Sequence, residues 1–242
     1  VLAVLQILGR GSCFDDIQQL SGISQSRAQS TFHHFCKCFA RAMYAKGISI
    51  PEGNDLTEVV RMYVALRFPG AVGSIDVTHV RWERAPISEG VHYMRKEGFM
   101  TVAYQVTVDH TGFARGVTVG FPGARNDKTI LQYDGTIRSI RHDPKYTQSV
   151  YKVVDYEGNE YTEKGTHIIV DGGYHKWRCT ISPFKASIIG TQAKSSERLE
   201  SVRKDVECFF GRTKGHWRIL QLPLQYWHKN RIDNIFFSCC IL

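Results

Sequence analysis

Two kinds of hydrophobic pattern divide the chain near residue 70. Up to about Lys46, apolar residues recur at helical spacing and β-branched residues are sparse. After Pro69 and Gly70 the pattern changes to alternation and to continuous apolar runs, which are typical of strands. The change predicts two domains. Residues 1–69 form a helical, helix-turn-helix-like domain with its linker, and residues 70–242 form an α/β domain.

The segment 14–44 has the pattern of a helix, a tight turn and a second helix. Gly22 is expected to supply the left-handed turn and Ser24 to cap the second helix. The inward-facing apolar positions of the first helix are expected to be Ile17 and Leu20. This spacing resembles the helix-turn-helix of DNA-binding proteins, whose second helix enters the major groove, and Arg27 would contact DNA there. A purely structural three-helix bundle explains the same pattern.

Three strands are predicted at the start of the α/β domain. The first is Val72–Trp82, the second runs from Phe99 into a turn at Asp109–Gly112, and the third is Phe113–Val119. The second and third strands would form a hairpin. Asp109 is expected to be a turn residue and nothing more.

The rest of the chain adds helices and one more buried strand. A helix with Asn126 or Asp127 as its cap is predicted to run to about Tyr133. Residues 143–165 are polar and predict an irregular surface insertion, and residues 166–171 predict a buried strand that ends in an acid. Residues 195–214 predict a long amphipathic helix. The order predicts an α/β fold with an RNase H-like, retroviral integrase-like mixed sheet flanked by helices, in which the first and fourth strands lie side by side.

Composition narrows the classes of protein that fit this fold. The net charge is +8, and the last third, residues 174–242, holds 12 Lys and Arg against 5 Asp and Glu. Such a distribution suits a protein that holds or cuts a polyanion, although a basic surface that only aids solubility fits it too. The seven cysteines are scattered, which fits a reducing intracellular compartment and neither a disulfide framework nor a paired zinc site. No apolar run approaches the roughly 18 residues that a membrane span needs.

Three acids, far apart in the sequence, are the candidate catalytic residues. Asp76 interrupts an apolar strand, Asp171 ends another, and Glu207 lies on the long helix. Acids on these three elements would meet at one edge of the predicted sheet, as two-metal phosphodiester chemistry requires. Each acid also has an ordinary structural explanation: Asp76 as a solvated residue at a strand end, Asp171 as part of the turn with two glycines, and Glu207 as the partner of Arg203 one helical turn away.

Other polar residues near these acids have two readings each. Asp127 is a helix cap or a fourth metal ligand, and His79 orients Asp76 from behind or is a satisfied core histidine. Lys214 and Tyr174 are candidates for holding or stacking DNA, and Trp217 for stacking DNA or for the core.

Four sequence motifs in order resemble the PIF/Harbinger transposases and the Harbinger transposase-derived nucleases. They are Gly73-Ser-Ile-Asp-Val-Thr-His79, Phe121-Pro-Gly-Ala-Arg-Asn-Asp127, Val170-Asp-Gly-Gly-Tyr174 and the segment Arg203–Leu220 with its Val-Glu-Cys-Phe-Phe-Gly core. The resemblance implies that Asp76, Asp171 and Glu207 are both the catalytic residues and the ligands of two Mg²⁺ or Mn²⁺ ions. His216 and Asn126 depart from the family's usual Arg and His.

The same resemblance implies DNA as the substrate and the nucleus as the location. It further implies homo-oligomers on DNA and a separate Myb-like protein that targets DNA. Beside Arg27, the expected DNA contacts are Arg203, Lys204, Arg212, Lys214 and Arg218. We therefore expect a DDE-type endonuclease or transposase that hydrolyses, and in some reactions joins, DNA phosphodiester bonds. The alternative is a domesticated, non-catalytic DNA-binding protein with the same fold.

Overall fold

A mixed six-stranded sheet, flanked by helices, forms the centre of the fold. The computed structural model describes residues 1–155, 157–184 and 190–242. The strands of these residues are β1 (Ala71–Arg81), β2 (Thr101–Val108), β3 (Ala114–Val117), β4 (Phe121–Pro122), β5 (Val150–Val154), β6 (Glu160–Lys164), β7 (His167–Ile169) and β8 (Thr180–Ile181). The main path through the sheet is β3-β2-β1-β7-β8, with β4 paired to β2. The expected α/β class with a mixed sheet is confirmed.

Helices cover this sheet and continue to both ends of the described chain. They are α1 (Leu2–Arg10), α2 (Phe14–Ser21), α3 (Gln25–Gly47), α4 (Gly53–Ala65), α5 (Gly90–Tyr93), α6 (Asp127–Tyr133), α7 (Gly135–His142), α8 (Pro144–Thr147), α9 (Gly190–His216) and α10 (Lys229–Ile241). The long amphipathic helix predicted for 195–214 is confirmed as α9, which is longer at both ends. In the part of the chain that the structure describes, no helix has both the length and the apolar character of a membrane span.

Strand β1 is the centre of the sheet because it pairs on both sides. It runs antiparallel to β2 and parallel to β7. All eight residues of β2 are buried, and so is the first half of β1, as expected for strands covered on both faces. Consequently the polar residues in the second half of β1 stand at the end of an otherwise apolar strand.

Two hydrophobic clusters hold the helices to the sheet. One joins α4, the start of β1 and β7, and the other joins α1, α3, α10, β2 and the end of β1. Helix α9 contributes to both, with Leu199 and Val202 in the first cluster and Val206 and Phe209 in the second. The position of α9 is therefore fixed at two places along its length.

Helices α2 and α3 are joined by a tight turn at Gly22, whose φ of 69° is left-handed as expected. Ile17 is buried, but Leu20 is 71% exposed, so the expectation that it packs inward is wrong. Phe14 packs on α3 instead, with its ring 5.9 Å from that of Phe32. Ser24 stands at the cap position without a side-chain hydrogen bond to the helix.

The N-terminal helices share their core with the sheet. Phe32 and Cys36 of α3 belong to the same cluster as Val102 of β2 and Ile235 of α10. The hydroxyl of Tyr44 donates to the carbonyl of Val117 on β3. The division into domains 1–69 and 70–242 stays a prediction.

Residues 143–165 are more regular than expected. They contain helix α8 and an antiparallel hairpin of β5 and β6, so the prediction of an irregular insertion is wrong. The pattern of apolar residues does not predict this hairpin, because β6 is exposed along its whole length and β5 is half-buried only at alternate positions. An exposed ion pair, Lys152 Nζ to Glu160 Oε2 at 2.9 Å, joins the two strands, and the ring of the half-buried Tyr151 lies 6.2 Å from that of His167 on β7.

Asp109 is more than a turn residue. Its side chain is completely buried, accepts hydrogen bonds from the backbone N–H groups of Thr111 and Phe113, and pairs with Arg115 at 2.6 Å. Arg115 in turn reaches Asp55 on α4, with 2.8 Å between Nη1 and Oδ2. A buried carboxylate needs such partners, and they make Asp109 a link between the β2–β3 turn and α4.

Candidate active site

The pairing of β1 with β7 brings Asp76 and Asp171 to the same end of the sheet. Ser74 lies opposite Ile169 in the parallel register. Asp76 follows Ser74 by two positions, and Asp171 follows Ile169 by two positions. The backbone N–H of Val77 donates to Asp76 Oδ1 at 2.8 Å, and that of Gly173 donates to Asp171 Oδ1 at 2.6 Å. Asp171 thus shapes the turn into the glycines and also stands beside Asp76.

Asp127 is the third acid in this group. It occupies the first helical position of α6, where Asn126 is the cap and its side chain accepts a hydrogen bond from the N–H of Lys128 at 2.8 Å. Because Asn126 caps the helix, Asp127 does not have that role. Asp127 is half-buried, and its carboxylate lies close enough to Asp76 and Asp171 for their charges to interact.

Burial and mutual repulsion act on these acids in the same direction. The pKa of Asp76 is raised, chiefly by burial and further by the charges of Asp171 and Asp127, whereas Arg203 opposes the rise. The pKa of Asp127 is raised by burial and then by Asp171, with Arg95 opposing. Neighbouring carboxylates that are partly withdrawn from water are costly in the charged form, so a cation among them lowers their free energy.

Glu207 reaches this group through one guanidinium. Arg203 Nη1 lies 3.1 Å from Asp76 Oδ2, and Arg203 Nη2 lies 2.7 Å from Glu207 Oε1. The third nitrogen, Nε, lies 2.9 Å from Glu200 Oε2. The side chain of Arg203 is only 15% exposed, while that of Glu207 is 48% exposed. The ion pair expected between Glu207 and Arg203 is present, and the same arginine also binds Asp76.

Tyr174 lies beneath the acids in the hydrophobic core. It is buried, and its hydroxyl has no hydrogen-bond partner among the described residues. Its pKa is raised well above the ordinary value, first by burial and then by the charges of Asp76, Asp127 and Asp171. The ring therefore closes the site from below as a neutral phenol.

His79 forms hydrogen bonds with residues other than Asp76. Its Nδ1 lies 3.1 Å from Thr101 Oγ1, and its carbonyl accepts a hydrogen bond from Lys214 Nζ at 3.0 Å. Three positions separate it from Asp76 along β1, which places the two side chains on opposite faces of the strand. Burial, and then the charges of Arg95 and Lys214, lower the pKa of His79 to about 4.

The basic residues expected to contact DNA differ in their freedom to do so. Arg203 and Lys214 are half-buried and engaged as described, and Arg212 is exposed but donates to the carbonyl of Gly112 at 2.9 Å. The exposed side chains are those of Arg27, Lys204, Arg212 and Arg218. Trp217 is buried in the core cluster, so its apolar reading fits the structure better than a stacking role.

The described residues do not include a complete set of metal ligands. Within 1–155, 157–184 and 190–242, no three His, Cys, Asp or Glu side chains are close enough together to hold one ion. The donor chemistry of Asp76, Asp127 and Asp171 nevertheless fits a hard divalent cation, which prefers carboxylate oxygens. One oxygen of Glu207 is already bound by Arg203, so an ion at this site would compete with the arginine for that oxygen.

Sequence patterns missed two residues of this site. Arg203 was expected only as a DNA contact or as the partner of Glu207, because its contact with Asp76 spans 127 positions of the chain. Arg95 had no expected role, although its charge acts on Asp127, His79 and Lys214. Position 95 lies between predicted elements, and neither periodicity nor spacing singles it out.

Comparison with known proteins supplies the family. Residues 75–242 match the family model described as "DDE superfamily endonuclease". The chain is 22% identical over 246 aligned positions to "Protein ALP1-like" from Arabidopsis thaliana; the alignment covers all of this chain and 58% of that protein. The chain thus spans little more than half the length of this curated relative. No solved structure matches the chain. Because the family model covers more than half of the chain, and includes Asp76, Asp171 and Glu207, the protein belongs to the DDE superfamily endonuclease family.

Proposed function

We propose that the protein is a metal-dependent DNA endonuclease or transposase that uses Asp76, Asp171 and Glu207. The observation that carries this proposal is the pairing of β1 with β7, which brings Asp76 beside Asp171, with Glu207 one guanidinium away. Asp127 is a further candidate ligand. When bound, two Mg²⁺ or Mn²⁺ ions would activate the attacking oxygen and stabilise the leaving oxygen of a phosphodiester.

The residues of the chain contribute position and charge to this reaction. Asp76 is fixed by the hydrogen bond from Val77 and by the rigid central strand, and Asp171 by the hydrogen bond from Gly173. Such fixed carboxylates keep their geometry without reorganisation during the reaction. The buried Tyr174 excludes water from below the acids, and Arg203 keeps Asp76 and Glu207 near each other.

Finer features of the proposal come from the motifs and the strand order. The path β3-β2-β1-β7-β8, with β1 and β7 parallel, supports an RNase H-like fold, and the four motifs support the PIF/Harbinger branch. The turn at Gly22 and the exposed Arg27 support a DNA-binding role for α2 and α3. The nuclear location, a Myb-like targeting partner and an oligomer on DNA belong to the same proposal.

Nicking of supercoiled plasmid DNA in the presence of Mn²⁺ tests this function. We expect the separate variants Asp76→Asn, Asp171→Asn and Glu207→Gln to lose about a hundredfold or more in rate, since even residues outside the ligand shell contribute about 10- to 100-fold at metal sites. Asp205→Asn is the matched control, because Asp205 lies on the same helix but pairs with His110 instead. Unchanged nicking by Asp76→Asn would contradict the proposal.

A non-catalytic DNA-binding protein is the second candidate, and the position of Arg203 favours it. An arginine that already balances Asp76, Glu200 and Glu207 gives the acids a purely structural role. Calorimetric titration with Mn²⁺ separates the two functions. A nuclease should bind the ion in a way that Asp171→Asn abolishes, whereas a regulator with a decayed site should show no such binding.

A further inference from the structure

A groove lies near the acid group, on the side of α9 and β1. It has a volume of about 540 Å³ and is lined on one side by β1 from Val77 onwards. Val77 is the immediate neighbour of Asp76. Arg95, on another wall of the groove, is near enough to Asp127 to oppose the rise of its pKa. The groove therefore lies near the acid group, although the acids themselves are not part of its lining.

Three cations share this groove without an acid inside it. They are Arg81, Arg95 and Lys214, and none of the described residues that line the groove is acidic. Arg81 pairs with Glu83 at 3.3 Å and Arg95 with Glu97 at 3.1 Å, but both glutamates lie outside the lining. Lys214 is half-buried and donates to a carbonyl oxygen, that of His79. In the described part of the chain no carboxylate pairs with it.

The cations of the groove repel one another. Burial lowers the pKa of Lys214, and the charge of Arg95 lowers it further. Of these two cations Arg95 is paired with Glu97, whereas Lys214 has only a carbonyl partner, so holding Lys214 beside Arg95 costs free energy that an anion placed between them would recover. A neutral His79 and the ring of Phe99, which lies 5.3 Å from the guanidinium of Arg81, complete the walls. This combination of fixed cations and polar walls suits a phosphate group.

We propose that this groove, with Arg95 and Lys214 as its anchors, binds a backbone phosphate of the DNA strand that enters the acid group. The inference rests on the proposed nuclease function and adds to it a named subsite beside the acids. Arg95 and Lys214 would position the DNA for Asp76 and its neighbours rather than take part in the chemistry. Arg81, at the outer end of β1, would contact the strand further along.

DNA binding measured without cleavage tests the groove. A short fluorescein-labelled duplex is titrated in EDTA, which removes divalent ions, at several salt concentrations. We expect Arg95→Gln and Lys214→Met each to weaken binding about tenfold and to lower the slope of log K against log salt by about one, because each removes a phosphate contact. Lys214→Arg, which keeps the charge, should retain most of the affinity.

Lys152→Gln is the matched control, since it removes one exposed positive charge from the β5–β6 hairpin. Equal loss in Lys152→Gln and Lys214→Met, or no loss in Arg95→Gln, would overturn the proposal. The side chain of Arg95 is partly exposed, so Arg95→Gln disturbs the core little. The test therefore stays valid if Lys214→Met folds poorly.

Protection of Lys214 from acetylation gives an independent readout. DNA should shield Lys214, but not Lys152, from an amine-reactive reagent, as detected by mass spectrometry. Shielding by inorganic phosphate and not by DNA would assign the groove to a small anion and overturn the proposal. Because neither measurement needs cleavage, an inactive protein that binds DNA here would contradict only the nuclease function.

Discussion

Arg203 Nη1 lies 3.1 Å from Asp76 Oδ2, so a helix residue supplies a positive charge to the half-buried acid of the central strand. The same guanidinium binds Glu207 and Glu200. A cation thus already stands between two of the proposed metal ligands. A divalent ion bound by Asp76 and Glu207, as proposed, would compete with Arg203 for the same oxygens.

This competition predicts the effect of removing the arginine on metal affinity. Arg203→Met should bind Mn²⁺ about tenfold more tightly than the natural protein, a gain of about 1.4 kcal/mol. Isothermal titration calorimetry of EDTA-treated protein measures the difference. Lys204→Met, the exposed neighbour on α9, should bind as the natural protein does. Weaker binding by Arg203→Met would mean that the arginine supports the ion rather than competing with it.

The raised pKa of Asp76 predicts a stability effect of opposite sign to the effect on activity. A carboxyl whose pKa is higher in the folded than in the unfolded state costs stability once the pH exceeds the unfolded value, because it is charged in a place that disfavours the charge. Asp76→Asn should therefore raise the melting temperature of the metal-free protein at neutral pH while it abolishes nicking. Differential scanning fluorimetry in EDTA measures this change. A lower melting temperature would show that the contact with Arg203 outweighs burial.

We predict that His167, the first residue of β7, makes the stability of the folded protein sensitive to acid. Burial lowers its pKa to about 4, so its folded value lies below the unfolded one of about 6.5. The contribution of the neutral His167 to the free energy of unfolding is fully present above the unfolded pKa. Between about pH 6.5 and pH 4 this contribution falls by up to roughly 1.4 kcal/mol per pH unit.

Urea unfolding at pH 7.5 and at pH 5 measures the contribution of His167. His167→Gln should lose less stability on acidification than the natural protein, while His142→Gln, on the surface, should behave like it. Equal pH dependence in all three proteins would exclude this role of His167.

The buried hydrogen bond between Tyr104 and Asp233 is remote from the candidate catalytic acids and predicts that variants at these two positions differ in stability. The hydroxyl of the fully buried Tyr104 donates to Asp233 Oδ1 at 2.8 Å, and Asp233 also pairs with Lys229 at 2.6 Å. Asp233→Ala leaves a buried hydroxyl without an acceptor and should lower the free energy of unfolding by about 3 kcal/mol. Tyr104→Phe leaves Asp233 with its other partners and should cost only about 1 kcal/mol. Similar losses in the two variants, measured in urea, would contradict this account.

The sequence predicted the elements of the site better than their contacts. The alternation around Asp76 and the apolar run before Asp171 predict a strand at each place, because burial of strands leaves a strong local pattern. That the two strands are neighbours follows from the order of elements typical of the predicted fold, not from either pattern. Local chemistry narrows the cap to Asn126 or Asp127, and the structure selects Asn126, whose oxygen accepts a backbone hydrogen bond within its own turn.

Contacts between distant segments could not be predicted in this way. Asp109 is linked to Asp55 on α4 through Arg115, which pairs with both acids. Arg203 of α9 pairs with Asp76 on β1. No local spacing in the sequence identifies either contact. The β5–β6 hairpin was missed for a related reason, since its polar residues pair with each other instead of covering a core.

The double attachment of α9 links the interior of the protein to its chemistry. Val206, completely buried in the core, is adjacent to Glu207, and Val202 is adjacent to Arg203. A smaller side chain at position 206 would let the helix settle inwards and would change the spacing of the carboxylates without altering any of them. The reach of Glu207 therefore depends as much on the volume of these buried valines as on the acids themselves.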